Sequence, residues 1–174
     1  MNNSLGIRHI VQFVVFVALQ ILLMDNLVLF GTGFSFIYIA FLLFLPLEMN
    51  RVLLLFMGFI VGFAVDIFYD TMGIHAAASV LLAYLRPMIL NLLTPRDGYD
   101  TNDSVNIHIM GWRWFLAYAL ILILAHHTAV FLLEIFSLEG LSAAVPKILL
   151  STLFTGVVMV ILQLLFFSLK RANR

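Results

Sequence analysis

The chain has 174 residues, 64% of them hydrophobic and 14% aromatic, and its 9 basic and 9 acidic side chains leave a net charge of zero. A soluble domain carries roughly 25% charged residues; the 10% found here cannot cover the surface of a water-soluble globule, and the composition equally excludes a disordered chain and an electrostatic nucleic-acid binder. The absence of cysteine excludes disulfides, thiolate catalysis and Cys-ligated metals.

The spacing of charges draws the spans. A bilayer core of about 30 Å needs roughly 20 mostly apolar helical residues. The runs between charges predict an all-α membrane protein, one polytopic domain over 1–174, with six transmembrane helices at 8–25, 33–48, 51–69, 75–93, 112–136 and 147–169. Runs such as Ile148 to Phe167 are continuously apolar, unlike the alternating segments of a membrane β-barrel. The first run is followed by Asp25-Asn26, with no small-x-small cleavage site, and reads as an uncleaved helix. In the second run Gly31-Thr32-Gly33 reads as a turn. It leaves Phe34 to Leu47, about 21 Å of helix, for a short or tilted span or a re-entrant segment. The third and fourth spans reach full length only by carrying Asp66 and Arg86 inside. The polar stretch Thr94 to Asn106 opens a loop expected at 94–111. Six spans put Arg8, Arg51, Arg96, Arg113, Lys170, Arg171 and Arg174 on one side and only Lys147 on the other. Such a bias predicts cytoplasmic termini and a cytoplasmic loop. No internal repeat is present, so an inverted-repeat transporter has no support.

Polar groups inside a span usually face the bundle interior and are candidates for function. On the third helix Gly58, Gly62, Asp66 and Asp70 recur every four residues and share a slowly drifting face. Gly58-x-x-x-Gly62 permits close approach of another backbone. On the fourth helix His75, Ser79 and Arg86 share a face, with Ala83 near it and Arg86 about 16 Å below His75. Arg86 either snorkels toward the inner surface or reaches outward to a partly buried Asp66 pair or water-filled pocket. Pro87 removes one helix hydrogen bond and is expected to kink the helix. His126 and Glu134 fall on one face of the fifth helix, and His127 points about 100° away from His126. Gln12, Gln20, Thr152, Gly156 and Gln163 read as interhelical packing and hydrogen-bond groups.

Catalytic motifs are missing. Asp66-x-x-x-Asp70 with His75 admits a shared divalent cation, but solvated carboxylates at a helix end fit equally well. The Gly-x-Gly-Asp half of an intramembrane aspartyl protease, a G-x-S-x-G elbow, H-E-x-x-H, a phosphate loop and the Asp-x-x-Asp-Gly run of head-group transferases are all absent. The reading is non-enzymatic, with no catalytic residue, cofactor or metal.

The stretch Gly58 to Pro87, GFIVGFAVDIFYDTMGIHAAASVLLAYLRP, resembles the rod shape-determining protein MreD family. Gly62, Asp66, Asp70, Gly73, His75, Arg86 and Pro87 occupy the motif positions; elsewhere the likeness is one of size and hydropathy. The resemblance implies a bacterial inner-membrane scaffold of the complex that guides lateral peptidoglycan synthesis and cell shape. It implies MreC as direct partner, with MreB, RodA and a class B penicillin-binding transpeptidase reached through the complex, and membrane lipids around it. It implies a fold similar to the substrate-binding subunits of energy-coupling-factor transporters. That similarity supplies a rival reading, a small-molecule (vitamin-type) binding subunit. The Ala-x-x-x-Ala docking pattern of such subunits is missing, since Ala18 has Val14 before it and Leu22 after it. Gly58, Gly62, Asp66, Asp70, Gly73, His75, Ser79, Arg86 and Pro87 are the expected partner-binding or pocket residues.

Overall fold

The computed structural model describes residues 3–23, 28–99, 105–135 and 141–166. The chain is mostly helical. Helix α1 covers Asn3–Leu23, and a two-stranded antiparallel hairpin follows, β1 (Val28–Leu29) against β2 (Gly33–Phe34), pairing Val28 with Phe34 and Leu29 with Gly33. A 3-10 turn at Ile37–Ile39 leads into the single-turn helix α2 (Ala40–Leu43). The remaining helices are α3 (Arg51–Tyr69), α4 (Ile74–Leu92), the short α5 (Ile107–Met110), α6 (Trp112–Glu134) and α7 (Leu141–Phe166). Four of them, α3, α4, α6 and α7, are long and apolar enough to cross a membrane, whereas the apolar stretch Ile7–Leu22 of α1 is shorter. The chain is therefore a multi-pass helical protein.

The expected second span, 33–48, is not a continuous helix. Its first residues belong to the hairpin and its middle is the 3-10 turn and α2. The segment from Phe36 to Leu45 is at most 6% exposed at every residue, so it runs through the bundle interior. The loop expected at 94–111 also holds structure, because α5 lies inside it and Val105, Asn106 and Ile107 are buried. The expected 51–69 helix is found with those ends, α4 is displaced by one residue, α6 starts at Trp112 as expected and ends at Glu134, α1 and α7 start earlier than expected, and the expected ends at 25 and 169 lie outside the described residues. Asp25, Asp100, Asp103, Lys170, Arg171 and Arg174 lie outside the described residues.

Successive long helices pack as neighbours: α3 on α4, α4 on α6, α6 on α7. Helices α3 and α4 meet at the two glycines. A Cβ on Gly58 would lie 2.9 Å from the Ser79 carbonyl oxygen, and one on Gly62 would lie 2.5 Å from Ala76 Cα. The two backbones are thus in direct contact, as small residues allow where lipid supplies no hydrophobic drive to association. The link between them is only Asp70 to Gly73, and it turns sharply because Asp70 (φ 55°), Met72 (φ 47°) and Gly73 (φ 91°) are all left-handed. Helix α1 packs on the 3-10 turn and α3, and α7 on the hairpin. Asn50 caps α3, its Oδ1 accepting from Val52 N and Leu53 N. Gln163 of α7 latches the 94–111 loop, accepting from Ile107 N and donating to Val105 O. Helices α3, α4, α6 and α7 alternate in direction, with Gly62 against His75, Arg86 bonded to Tyr118 and His127 to Thr155, while the ends of α1 and α3 meet through Gln20 and Tyr69.

Candidate functional site

The broken segment defines the chemistry of the interior. Inside a membrane each unpaired backbone N–H or C=O costs several kcal/mol, so non-helical backbone survives only where protein groups pair it. Here the pairing comes from polar side chains of four surrounding helices. At the hairpin end, Ser151 Oγ accepts from Phe34 N at 2.9 Å and Thr155 Oγ1 from Phe36 N at 3.1 Å. Gln20 of α1 accepts from Tyr38 N and donates to Ser35 O and to the Tyr69 hydroxyl. At the far end the Tyr118 hydroxyl donates to Leu43 O at 2.9 Å, and the Arg86 guanidinium donates to Leu45 O and Pro46 O. Gln20 and Thr155 therefore serve the irregular strand of backbone as well as linking helices, Gln20 through the Tyr69 hydroxyl of α3 and Thr155 through His127 of α6.

Asp66 has the opposite task. Helix α4 begins at Gly73, which has no side chain to offer its first N–H groups. Asp66 reaches across from α3 in place of that missing cap. Its Oδ1 accepts from His75 N at 3.0 Å and its Oδ2 from Ala76 N at 2.8 Å. Thr71 Oγ1 and His75 Nδ1 also bond to Oδ1. A carboxylate at a helix N-terminus is favoured both by the orphan donors and by the helix dipole, and the site is only 5% exposed.

Arg86 is the mirror case. It is 1% exposed, its Nε donates to the Tyr118 hydroxyl at 2.8 Å, and its Nη2 donates to the carbonyls of Leu45 and Pro46, just beyond α2. Neither expectation for Arg86 holds. It does not snorkel, and it does not pair with Asp66. The reason is that each charge finds backbone groups closer than it finds the other, Asp66 at the start of α4 and Arg86 in the irregular segment after α2, with about 16 Å of α4 axis from His75 to Arg86. We therefore expect Asp66→Asn, Arg86→Gln and the double variant to give additive losses in detergent unfolding, within about 0.5 kcal/mol. A coupling well above that would show a link the geometry lacks.

Between these two caps lies a cluster of rings. Phe36 packs against His75, His126 and His127 with centroids 5.5, 5.8 and 5.0 Å away. The Tyr38 hydroxyl and His126 Nε2 are hydrogen-bonded at 2.7 Å. His127 Nδ1 must carry the hydrogen, since Ile123 O can only accept, and the Thr155 hydroxyl faces its Nε2 at 3.0 Å. His126 and His127, about 100° apart around α6, are both fully buried and flank the same Phe36 ring. Glu134, expected to share the face of His126, is exposed. Among the described residues no group of three His, Asp or Glu side chains is placed to hold a metal ion.

The motif residues divide accordingly. Gly58 and Gly62 form the α3–α4 contact, and His75, Ser79 and Arg86 share the buried face of α4 as their spacing predicts. Asp70 is exposed and contributes its left-handed backbone to the end of α3, not its carboxylate to the site. Gly73 supplies a φ of 91° at the start of α4. Pro87 lies within α4, which continues unbroken to Leu92. Gly156 receives Leu120, whose Cδ2 would sit 2.8 Å from an added Cβ. Tyr38, Tyr118, Ser151 and Thr155 were not singled out by sequence reasoning. The available signal was indirect: a span too short after Gly31-Thr32-Gly33 needs donors and acceptors on its neighbours. No protein family, no curated protein and no solved structure matches this chain.

Proposed function

We propose that the protein is a non-enzymatic membrane scaffold of the MreD type. In this reading it sits in the bacterial inner membrane with cytoplasmic termini, six crossings including the broken one, and an architecture like the binding subunits of energy-coupling-factor transporters. It binds MreC directly and supports lateral peptidoglycan synthesis together with MreB, RodA and a class B penicillin-binding transpeptidase. The observation that carries the reading is the use made of the motif Gly58 to Pro87. Its two intramembrane charges are spent on backbone groups, Asp66 on His75 N and Ala76 N at the start of α4 and Arg86 on Leu45 O and Pro46 O in the irregular segment after α2. Charges so committed build a rigid body and are not free to run a reaction. A rigid body with an apolar exterior suits a partner that docks by shape within the bilayer.

Depletion of the protein in its own rod-shaped host tests this. Cells are expected to round up, and MreC is expected to be lost from pull-downs of the complex. Rods that persist with an intact complex would refute the scaffold. A vitamin requirement or uptake defect without rounding would favour the transporter subunit instead.

A further inference from the structure

Arg86 carries more donors than its hydrogen bonds use. A guanidinium donates from Nε, Nη1 and Nη2. Nε meets the Tyr118 hydroxyl, and Nη2 meets Leu45 O and Pro46 O. Nη1 bonds to no described residue. Nor is it sealed in. Among the described residues the fully enclosed polar atoms without a partner are Ser35 Oγ, Ser79 Oγ, His126 Nδ1 and Thr152 Oγ1, so Nη1 keeps an opening to the surface. The charge is also uncompensated. Among the described residues the one ion pair joins His75 to Asp66, and every group bonded to Arg86 is neutral. A buried cation without a counter-charge is costly, and an ionisable group inside a membrane protein marks a site by default.

We infer that Arg86 is the centre of a site for the phosphate of an anionic phospholipid. Helix α4 has 19 residues, about 28 Å of axis, close to the roughly 30 Å of a bilayer core. Its C-terminal end therefore stands at a phosphate layer, and Arg86 lies about 9 Å before Leu92. The carbonyls that hold Arg86 lie where the chain emerges to begin α3, since Leu45 is buried, Pro46 and Leu47 are half-buried and Glu48 is exposed. The surface there is basic. Arg51 opens α3, which runs antiparallel to α4 with Gly62 against His75 and Gly58 against Ser79. Arg96 follows α4, and Arg113 stands in the first turn of α6, whose Tyr118 holds Arg86. All three arginines are exposed, and the described carboxylates of this end, Glu48 and Asp97, pair with none of them. Such arginines draw anionic head groups to the surface at about 1 kcal/mol each, and a guanidinium forms charge-assisted bonds to phosphate oxygens. Half-exposed Trp112 at the same end suits the head-group level. No carboxylate is placed to receive a choline ammonium, so a net-negative head group is selected. An acidic partner helix would have to carry its own carboxylate to this depth at a desolvation cost, whereas a phospholipid brings its phosphate there already.

Native mass spectrometry of the full-length chain reads single lipid-binding events. The wild type is expected to bind its first phosphatidylglycerol about tenfold more tightly than phosphatidylcholine with the same tails, a difference near 1.4 kcal/mol. Arg86→Gln should abolish that preference. Because this variant also loses stability, two further measurements stand apart from it. Phosphatidylglycerol with a photoreactive group beside its phosphate should label the wild-type segment from Leu45 to Arg51. Arg51→Gln combined with Arg113→Gln, both at exposed positions, should retain the preference. Equal binding of the two lipids by the wild type would overturn the inference, as would labelling confined to the Lys147 end. So would a preference that survives Arg86→Gln and vanishes in the Arg51→Gln, Arg113→Gln variant, which would place the site on the surface arginines. Inorganic phosphate that raises the unfolding temperature as much as phosphatidylglycerol does would overturn the lipid source.

Discussion

Replacing Arg86 with glutamine or methionine is expected to lower stability in detergent by about 3–5 kcal/mol, the range for removing one member of a buried charged network. Three hydrogen bonds leave together, to the Tyr118 hydroxyl, Leu45 O and Pro46 O. Leu45, whose carbonyl they abandon, is only 2% exposed, so its oxygen is left as a buried acceptor without its donor. Arg86→Lys should recover only part of the loss. The ammonium keeps the charge at the end of α2, but it is a point donor on a flexible stem and cannot span a hydroxyl and two carbonyls at once. Tyr118→Phe should lose about 1 kcal/mol, through its bond to Leu43 O. Combined with Arg86→Gln it should cost less than the sum, because the two side chains share a bond. Chemical unfolding followed by circular dichroism reads all five variants. An Arg86→Gln protein as stable as the parent would mean that the carbonyls after α2 find other partners, and the account of the broken segment would fail with it.

The long helices were legible because charge spacing and continuous apolar runs report length directly. The shared face of His75, Ser79 and Arg86 was legible because helical periodicity fixes which residues point the same way. Periodicity is silent on what lies opposite. It put Asp66 and Arg86 on facing helices and suggested that they meet, whereas each is captured by backbone, Asp66 by His75 N and Ala76 N at the start of α4 and Arg86 by Leu45 O and Pro46 O in the irregular segment after α2. The course of residues 34–47 was hidden for a different reason. In a soluble protein an all-apolar segment is a buried one, but in a bilayer the lipid-facing surface is as apolar as the core, so hydropathy alone cannot distinguish a central strand of backbone from an outer helix. What betrays the central position is the polar complement on its neighbours, Gln20, Tyr118, Ser151 and Thr155, read together instead of helix by helix.

Gly62 is the residue on which the α3–α4 unit depends most closely, and Gly62→Ala is expected to destabilise it by about 3 kcal/mol, the upper part of the usual overpacking range. The added Cβ would meet Ala76 Cα at 2.5 Å. That obstacle is backbone, with no rotamer to move aside, so the helices must part. Their separation acts at the very turn whose N–H groups Asp66 caps, because His75 and Ala76 both touch Gly62 and bond to the Asp66 carboxylate. One methyl group thus loosens the packing and the cap together. Gly58→Ala should be milder, since its nearest neighbours are the Ser79 carbonyl oxygen at 2.9 Å and the Ala83 methyl at 3.0 Å. Gly73→Ala has open space around it and should suffer only the left-handed backbone penalty, about 1–2 kcal/mol. Hydrogen exchange separates the three. Gly62→Ala should expose the His75 and Ala76 amides first, while Gly73→Ala should weaken the turn without parting the helices. If Gly62→Ala unfolds no earlier than Gly58→Ala and leaves those two amides protected, the helices have room between them, and the coupling of the glycine face to the carboxylate cap is wrong.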